Sequence, residues 1–250
     1  MKVAKGEIAL FYLAQAGFII KTPGRIIVID AYLSDAVERL FNFKRMIPAV
    51  IRPDEIDADL WLSTHSHADH LDPDSLPVIA SNPKTLFIGS PDCEEYYRQH
   101  QIPDNRYRIL KLDQEWQAPG IRIKAVYANH GELAPDAIGM LIETEGIRIY
   151  HAGDTGFDPD KIKASLQSDI DIMIAPINGQ YGNLTASEAC GLARVIKPNI
   201  LIASHFWMFL EHVGEGGSGD PATFLKESKS LPDTIQALVM APGERLIYSK

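Results

Sequence analysis

Short apolar runs separated by turn residues characterise the first part of the chain. Runs of four to six residues that are apolar throughout, or apolar at every second position, are typical of buried or half-buried strands. Pro23-Gly24 supplies a turn between the second and third of these runs. The pattern predicts strands at residues 8–13, 18–21, 25–29, 58–63 and 85–89.

The rest of the chain continues with strands, and helical periodicity occurs between some of them. One helix is predicted to begin near Asp72 or Asp74, and others span residues 92–100, 158–167, 185–196 and 221–228. The further predicted strands are residues 107–110, 121–128, 138–143, 147–151, 171–175, 199–203, 235–240 and 245–248. Residues 34–55 have a mixed pattern that predicts no element. Because no linker divides these elements, we interpret residues 1–250 as a single domain.

Two segments of the first half resemble segments of the second half. Residues 25–30 and 148–154 each form a strand that ends in aspartate. Residues 62–65 and 202–205 each end in a hydroxyl residue followed by histidine. Both pairs predict two packed β-sheets related by a pseudo-two-fold axis, with helices outside them.

The composition limits the partners and the location that we expect. The net charge of −9 argues against nucleic acid, which usually requires a basic face. The two cysteines are far apart in the sequence, which favours a reducing compartment over a disulfide framework. The apolar segment at residues 8–13 is shorter than the roughly 7–15 residues of an export signal, and no run is long enough to span a bilayer. We therefore expect a cytoplasmic protein with no nucleic-acid or membrane partner.

The segment from Thr64 to Asp72 carries the clearest chemistry. It places three histidines and two carboxylates within nine residues, directly after a predicted strand. Imidazole and carboxylate ligands suit zinc, manganese or iron. Residues two apart in an extended segment point the same way, so His65 and His67 can bind one ion, and Asp69 and His70 can face a second. A solvated polar loop is the alternative, but only eight histidines occur in the whole chain.

Three further residues are candidates for the same site. His130, Asp154 and His205 each lie just after the end of a predicted strand. Loops at strand ends can converge on one mouth of a β-sandwich. Taken singly, each residue has an ordinary structural explanation, but together with the histidine segment they predict a site for two ions.

The motif His65-x-His67-x-Asp69-His70, followed by His130, Asp154 and His205, resembles the metallo-β-lactamase superfamily in order and spacing. The resemblance implies an α/β (α+β) fold, the four-layer αββα metallo-β-lactamase sandwich. It also implies two divalent metal ions, zinc or manganese. One ion would be held by His65, His67 and His130, and the other by Asp69, His70 and His205, with Asp154 bridging them. Asp30 matches a carboxylate that supports the histidine loop, although a turn residue remains the alternative.

Other features are similar to the L-ascorbate-6-phosphate lactonase branch of that superfamily. They are the segments 150–155 and 180–182 and the residues after His205, ending in Gly219-Asp220-Pro221. The resemblance implies hydrolysis of a small sugar lactone that can carry a phosphate, with Asp69 or Asp154 delivering a proton to the leaving alkoxide. The alternatives are a phosphodiesterase similar to N-acylphosphatidylethanolamine phospholipase D and a non-catalytic metal-binding protein.

Substrate contacts are predicted less directly than metal ligands. Tyr181, Asn183 and His212 are candidates for binding a small, anionic substrate. Tyr181 is equally able to pack, Asn183 to form a turn and His212 to lie at the surface. The glycine-rich residues 214–219 either fold over a phosphate or form a surface loop. The sequence is also compatible with a homo-oligomer.

Overall fold

Two mixed β-sheets form the centre of the protein. The computed structural model describes residues 1–212 and 219–250. The first sheet contains seven strands in the order β14-β1-β2-β3-β4-β5-β6. Its strands are β1 (Glu7–Ala14), β2 (Gly17–Lys21), β3 (Ile26–Ile29), β4 (Leu60–Ser63), β5 (Leu86–Gly89), β6 (Tyr107–Ile109) and β14 (Arg245–Ser249). The strands from β14 to β3 pair antiparallel, and those from β3 to β6 pair parallel.

The second sheet repeats this pattern. Its seven strands have the order β13-β12-β11-β10-β9-β8-β7. They are β7 (Glu115–Ala118), β8 (Ile121–Tyr127), β9 (Ile138–Thr144), β10 (Ile147–His151), β11 (Ile172–Pro176), β12 (Ile200–Ser204) and β13 (Gln236–Leu238). The strands from β7 to β10 pair antiparallel, and those from β10 to β13 pair parallel. The two sheets therefore have equivalent topology, as the internal resemblance predicts.

The topology confirms that residues 25–30 and 148–154 are equivalent, and it shows that residues 62–65 and 202–205 are not. β3 and β10 hold the same position in their sheets, so Asp30 and Asp154 follow equivalent strands. His65 follows β4, whose counterpart is β11, whereas His205 follows β12, whose counterpart is β5. The similarity between residues 62–65 and 202–205 therefore does not reflect equivalent positions.

Helices flank both sheets. They are α1 (Ala36–Phe41), α2 (Leu76–Ala80), α3 (Cys93–Gln99), α4 (Pro159–Leu166), α5 (Ala186–Ile196) and α6 (Pro221–Ser228). Helices α2 and α3 pack on the first sheet, and α4, α5 and α6 contact strands of the second. The structure confirms the predicted αββα sandwich. Among the described residues, no helix is both long enough and apolar enough to cross a bilayer.

Alternation along the strands explains how the layers assemble. On β3, Ile27 and Ile29 belong to the core that joins the two sheets, whereas Val28 packs beneath the helices of the first sheet. On β4, Leu62 faces the inner core and Trp61 the helices. Successive strand side chains point to opposite faces, so a wholly apolar strand fills two cores. This arrangement leaves the strand ends free to carry polar loops.

Two elements lie outside the predictions. β7 is an edge strand in which exposed and half-buried side chains alternate, so it lacks the apolar run that marks the other strands. Helix α1 lies in the segment that predicted no element. It has six residues, of which only Ala36 and Val37 are buried, so its apolar periodicity is too short to recognise.

Candidate metal centre

The loop after β4 turns its histidines toward the second sheet. The Nε2 atom of His65 lies 2.9 Å from Nδ1 of His67. His65 is fully buried, and its pKa lies well below the usual range because burial disfavours the charged ring and His70 repels it. A neutral imidazole in this position has a lone pair available for a metal ion.

Four residues from both halves of the chain form the first group of potential ligands. His65, His67, His130 and Asp154 each offer one ligand atom, and these atoms all lie within 4.8 Å of one another. His130 follows β8, and Asp154 follows β10. The expected first ligand set is therefore brought together, with Asp154 as an additional member.

Three residues form a second group beside the first. Asp69, His70 and His205 offer ligand atoms that lie within the same 4.8 Å limit. Asp69 and His70 belong to the loop after β4, and His205 directly follows β12. The residues expected to hold the second ion are thus adjacent in space.

Asp154 lies between the two groups. Its Oδ1 atom is 3.3 Å from Nε2 of His70 and 3.3 Å from Nε2 of His205. Its Oδ2 atom is 3.6 Å from Nε2 of His130. One carboxylate oxygen therefore faces each group, which is the geometry that the expected bridging role requires.

Several of these atoms lack partners within the part of the chain that the structure describes. Nε2 of His70 and Oδ1 of Asp154 are buried and have no hydrogen-bond partner there, although they are only 3.3 Å apart. Nδ1 of His130 is also buried without a partner. Buried polar atoms are normally satisfied, and nitrogen and oxygen donors that converge unpaired fit divalent metal ions.

Charge in this cluster is balanced between acids and bases. Burial alone would raise the pKa of Asp154, but His205 and His70 hold it well below its usual range. Burial alone would lower the pKa of His205, but Asp154 and Asp69 raise it to about 9. The same carboxylates raise the pKa of His70. The raised pKa values favour protonated His70 and His205, whose ring nitrogens are the atoms that would bind metal ions.

Asp30 supports the histidine loop from below. Its carboxylate accepts hydrogen bonds from the Thr64 N–H at 2.8 Å and the Thr64 hydroxyl at 2.7 Å. It also lies 2.9 Å from Nδ1 of His70. A carboxylate at the far ring nitrogen directs Nε2 of a histidine toward a metal ion. Asp30 therefore has the contacts that its expected supporting role requires.

Gly153 brings the loop of Asp154 against the histidine loop. It has φ +62°, and a Cβ atom there would lie 2.9 Å from the side chain of Thr64. A side chain at this position would push the loop of Asp154 away from Thr64 in the histidine loop.

Gln15 is a residue of the site that the sequence analysis missed. It lies in the tight turn between β1 and β2 and is 1% exposed. Its Nε2 donates to Oδ2 of Asp69 at 2.7 Å and lies 3.0 Å from Nε2 of His205. Its backbone carbonyl accepts from the His205 N–H at 2.8 Å. No sequence pattern marks a lone glutamine in a turn as part of a metal centre.

A cavity of about 280 Å³ opens above the two groups. Tyr181 and His212 line it, and the Tyr181 hydroxyl lies 3.1 Å from Nε2 of His212. Asn183 is buried and is not among the residues that line the cavity. The prediction for residues 214–219 falls outside the described residues except at Gly219.

Comparison with known proteins agrees with this geometry. The family model described as "Beta-lactamase superfamily domain" matches residues 25–206. A UPF0173 metal-dependent hydrolase from Polynucleobacter asymbioticus is 32% identical over 222 residues, which cover 81% of this chain and 75% of the relative. A protein of the same description from Sulfurisphaera tokodaii is 28% identical over 239 residues, with coverage of 94% and 97%.

A solved structure has the same fold. Igni18, a metallo hydrolase from the archaeon Ignicoccus hospitalis, superposes with a TM-score of 0.75 at 22% identity and covers 98% of this chain and 99% of its own. The chain belongs to the metallo-β-lactamase superfamily. It is a metal-dependent hydrolase with a His/Asp cluster that is able to bind metal.

Proposed function

We propose that the protein hydrolyses a carboxylic ester bond, and in particular opens a lactone, with two zinc or manganese ions. The observation that carries this proposal is the position of Asp154 between two groups of ligands at the base of a cavity. When bound, such a pair of ions would activate a water molecule and polarise the ester carbonyl. The similarity of segments 150–155 and 180–182 to the lactonase branch favours a lactone as the substrate.

Asp69 is the residue that we expect to move the proton. It lines the cavity, and its side chain is 17% exposed. Gln15 fixes the carboxylate at 2.7 Å, and the charges of His70 and His205 hold its pKa below the usual range, against the effect of burial. As the water oxygen bonds to the acyl carbon and the ring C–O bond breaks, ionised Asp69 accepts the water proton and passes it to the leaving alkoxide.

The alternatives fit the cavity less well. A phosphodiester is permanently anionic, and among the described residues that line the cavity there is no lysine or arginine. A neutral ester requires no such cationic partner from the walls. A non-catalytic role would not require a cavity of about 280 Å³ beside a complete donor set.

Comparative kinetics tests the proposal. Protein loaded with manganese or zinc is assayed with γ-lactones, open-chain esters and a bis-aryl phosphate. We expect kcat/KM to be highest for the lactones. Asp69→Asn should lower metal content, and should lower kcat even at saturating metal, because it removes both a ligand atom and the proton acceptor. His100→Ala is the control. His100 lies at the end of helix α3, so this variant should leave kcat unchanged. A higher kcat/KM for the phosphodiester would contradict the proposal.

A further inference from the structure

The cavity beside the ligand groups has hydrocarbon walls. Its apolar lining comes from helix α1, from the chain that follows it and from loops of the second sheet. The residues that form these walls are Val37, Phe41, Phe43, Leu133, Tyr181 and Phe209. Only the base of the cavity carries ligand residues, so a substrate whose ester lies at the base must place its remaining atoms against these walls.

The walls are not part of the buried core, because two of the wall residues are largely exposed to solvent. Phe41 is 58% exposed and Leu133 is 55% exposed. Phe43 and Phe209 continue the wall inward, with ring centroids 6.1 Å apart. Large apolar side chains that remain exposed around a functional cavity mark a surface that a ligand covers.

Lysine and arginine are absent from the described residues of this lining. The sequence of residues 213–218 contains neither. Arg45, the nearest arginine along the chain to Phe43, donates to the carbonyls of Ser34 and Ile47 instead. A phosphate or carboxylate against these walls would have no lysine or arginine to pair with.

The N-terminal end of the nearby helix α5 does little to compensate for the missing lysine and arginine side chains. Helix α5 begins with a capping box in which the Thr185 N–H donates to the Glu188 carboxylate at 2.9 Å. The Glu188 N–H in turn donates to the Thr185 hydroxyl at 3.2 Å. This end of the helix therefore already holds a carboxylate, which disfavours a second anion.

We propose that the cavity binds an uncharged hydrocarbon substituent of the substrate, alkyl or aryl, and that Phe41 and Leu133 determine specificity for it. The inference rests on the proposed ester hydrolysis and narrows its substrate class. At about 280 Å³ the cavity is slightly smaller than the roughly 300–1,000 Å³ of small-molecule sites, so the substituent is short. The phosphorylated sugar lactone expected from the sequence lacks this apolar surface.

A series of γ-lactones with unbranched substituents from methyl to octyl tests the inference. We expect kcat/KM to rise about two- to fourfold for each added methylene until the cavity is full. Leu133→Ala and Phe41→Ala should flatten this dependence. Leu225→Ala, which removes a 46% exposed leucine from helix α6, is the matched control and should leave the dependence unchanged.

A charged variant and a binding measurement separate this inference from the proposed function. Phe41→Lys should abolish the chain-length dependence and raise kcat/KM for a phosphorylated lactone. Calorimetry with alkyl lactams on the metal-free protein should give an affinity that increases with chain length. Lactone hydrolysis that is independent of chain length, or fastest with the phosphorylated lactone, would overturn the inference and leave ester hydrolysis standing. Chain-dependent lactam binding without any lactone hydrolysis would instead overturn the proposed function.

Discussion

Residues with unusual backbone conformations surround the metal centre. Gln15, Asp30, Tyr181 and His205 have φ values of 54°, 47°, 54° and 56°. Residues other than glycine seldom adopt this left-handed region, and such conformations concentrate at functional sites. Gln15, Asp30 and His205 directly follow strands, and Tyr181 lies in a turn that lines the cavity. The local conformational cost is offset by the rigid sheets on either side.

Loss of a ligand should remove metal and activity together. His70→Ala and Asp154→Ala are expected to lower metal content and abolish turnover, because each removes a ligand atom from one of the two groups. His100→Ala should change neither, since the ring lies at the end of helix α3 and contacts the carbonyl of Tyr96. Elemental analysis and turnover on the same preparations provide the measurement. Full metal content in His70→Ala would show that the assignment is wrong.

Gln15 should control the metal affinity of the second group. Gln15→Ala removes the 2.7 Å hydrogen bond to Asp69, and loss of such an outer contact typically lowers metal affinity about 10- to 100-fold. Competition with a chelator of known affinity measures this change. Gln99→Ala serves as control because Gln99 contacts only Glu95 on the same helix among the described residues. Equal affinities for the two variants would refute the role of Gln15.

At the scale of elements, strand ends bring the centre together. The carboxyl ends of β3, β4, β8, β10 and β12 carry Asp30, the histidine loop, His130, Asp154 and His205. Parallel strands place their carboxyl ends at the same edge, and both sheets direct these ends to the same mouth. The cavity walls come from short, irregular elements around that mouth.

The sequence predicted the parts of the site that have a local signature. Buried strands and the histidine loop are visible because their pattern lies within a few residues. The sequence does not reveal the pairing of β14 with β1 or the contact of Gln15 with Asp69, because these join residues that are far apart in the chain. Helix α1 and the wall residue Leu133 were not predicted either. Little of their apolar surface is buried in the core, so they produce no periodic apolar pattern in the sequence.

Close contact between two loops should make Gly153 sensitive to substitution. Gly153→Ala forces a Cβ atom to within 2.9 Å of Thr64, so we expect unfolding free energy to fall by about 1–3 kcal/mol more than for Gly146→Ala. Gly146 has φ +78° with nothing within 4 Å of its Cβ position, so it isolates the backbone cost. Urea unfolding of both variants measures the difference. Equal losses would contradict the close-packing argument.

At the scale of the whole molecule, protonation and metal binding are linked. Burial opposes the charged form of His205, but Asp154 and Asp69 raise its pKa to about 9. A folded-state pKa above the unfolded value stabilises the metal-free protein, fully below about pH 6.5. That contribution is lost as the pH rises through about 9. His70 shifts in the same direction. Metal ions compete with both protons, so metal affinity should increase as the pH rises toward 9.

Metal uptake at pH 7 should therefore release about two protons per chain. Titration calorimetry in two buffers of different ionisation enthalpy measures the number released. The observed heats should differ in proportion to the buffer enthalpies at pH 7, and the difference should decrease above pH 9. Identical heats in both buffers at pH 7 would show that His70 and His205 are neutral in the metal-free protein.

The division of ligands along the chain sets an order of events in biosynthesis. His65, His67, Asp69 and His70 leave the ribosome early, whereas His130, Asp154 and His205 follow after two, four and six strands of the second sheet have been made. Each group of ligands draws on both portions. A nascent chain that carries only the first portion holds an incomplete coordination shell. We therefore expect the ions to enter after the second sheet has folded, as the last step of maturation.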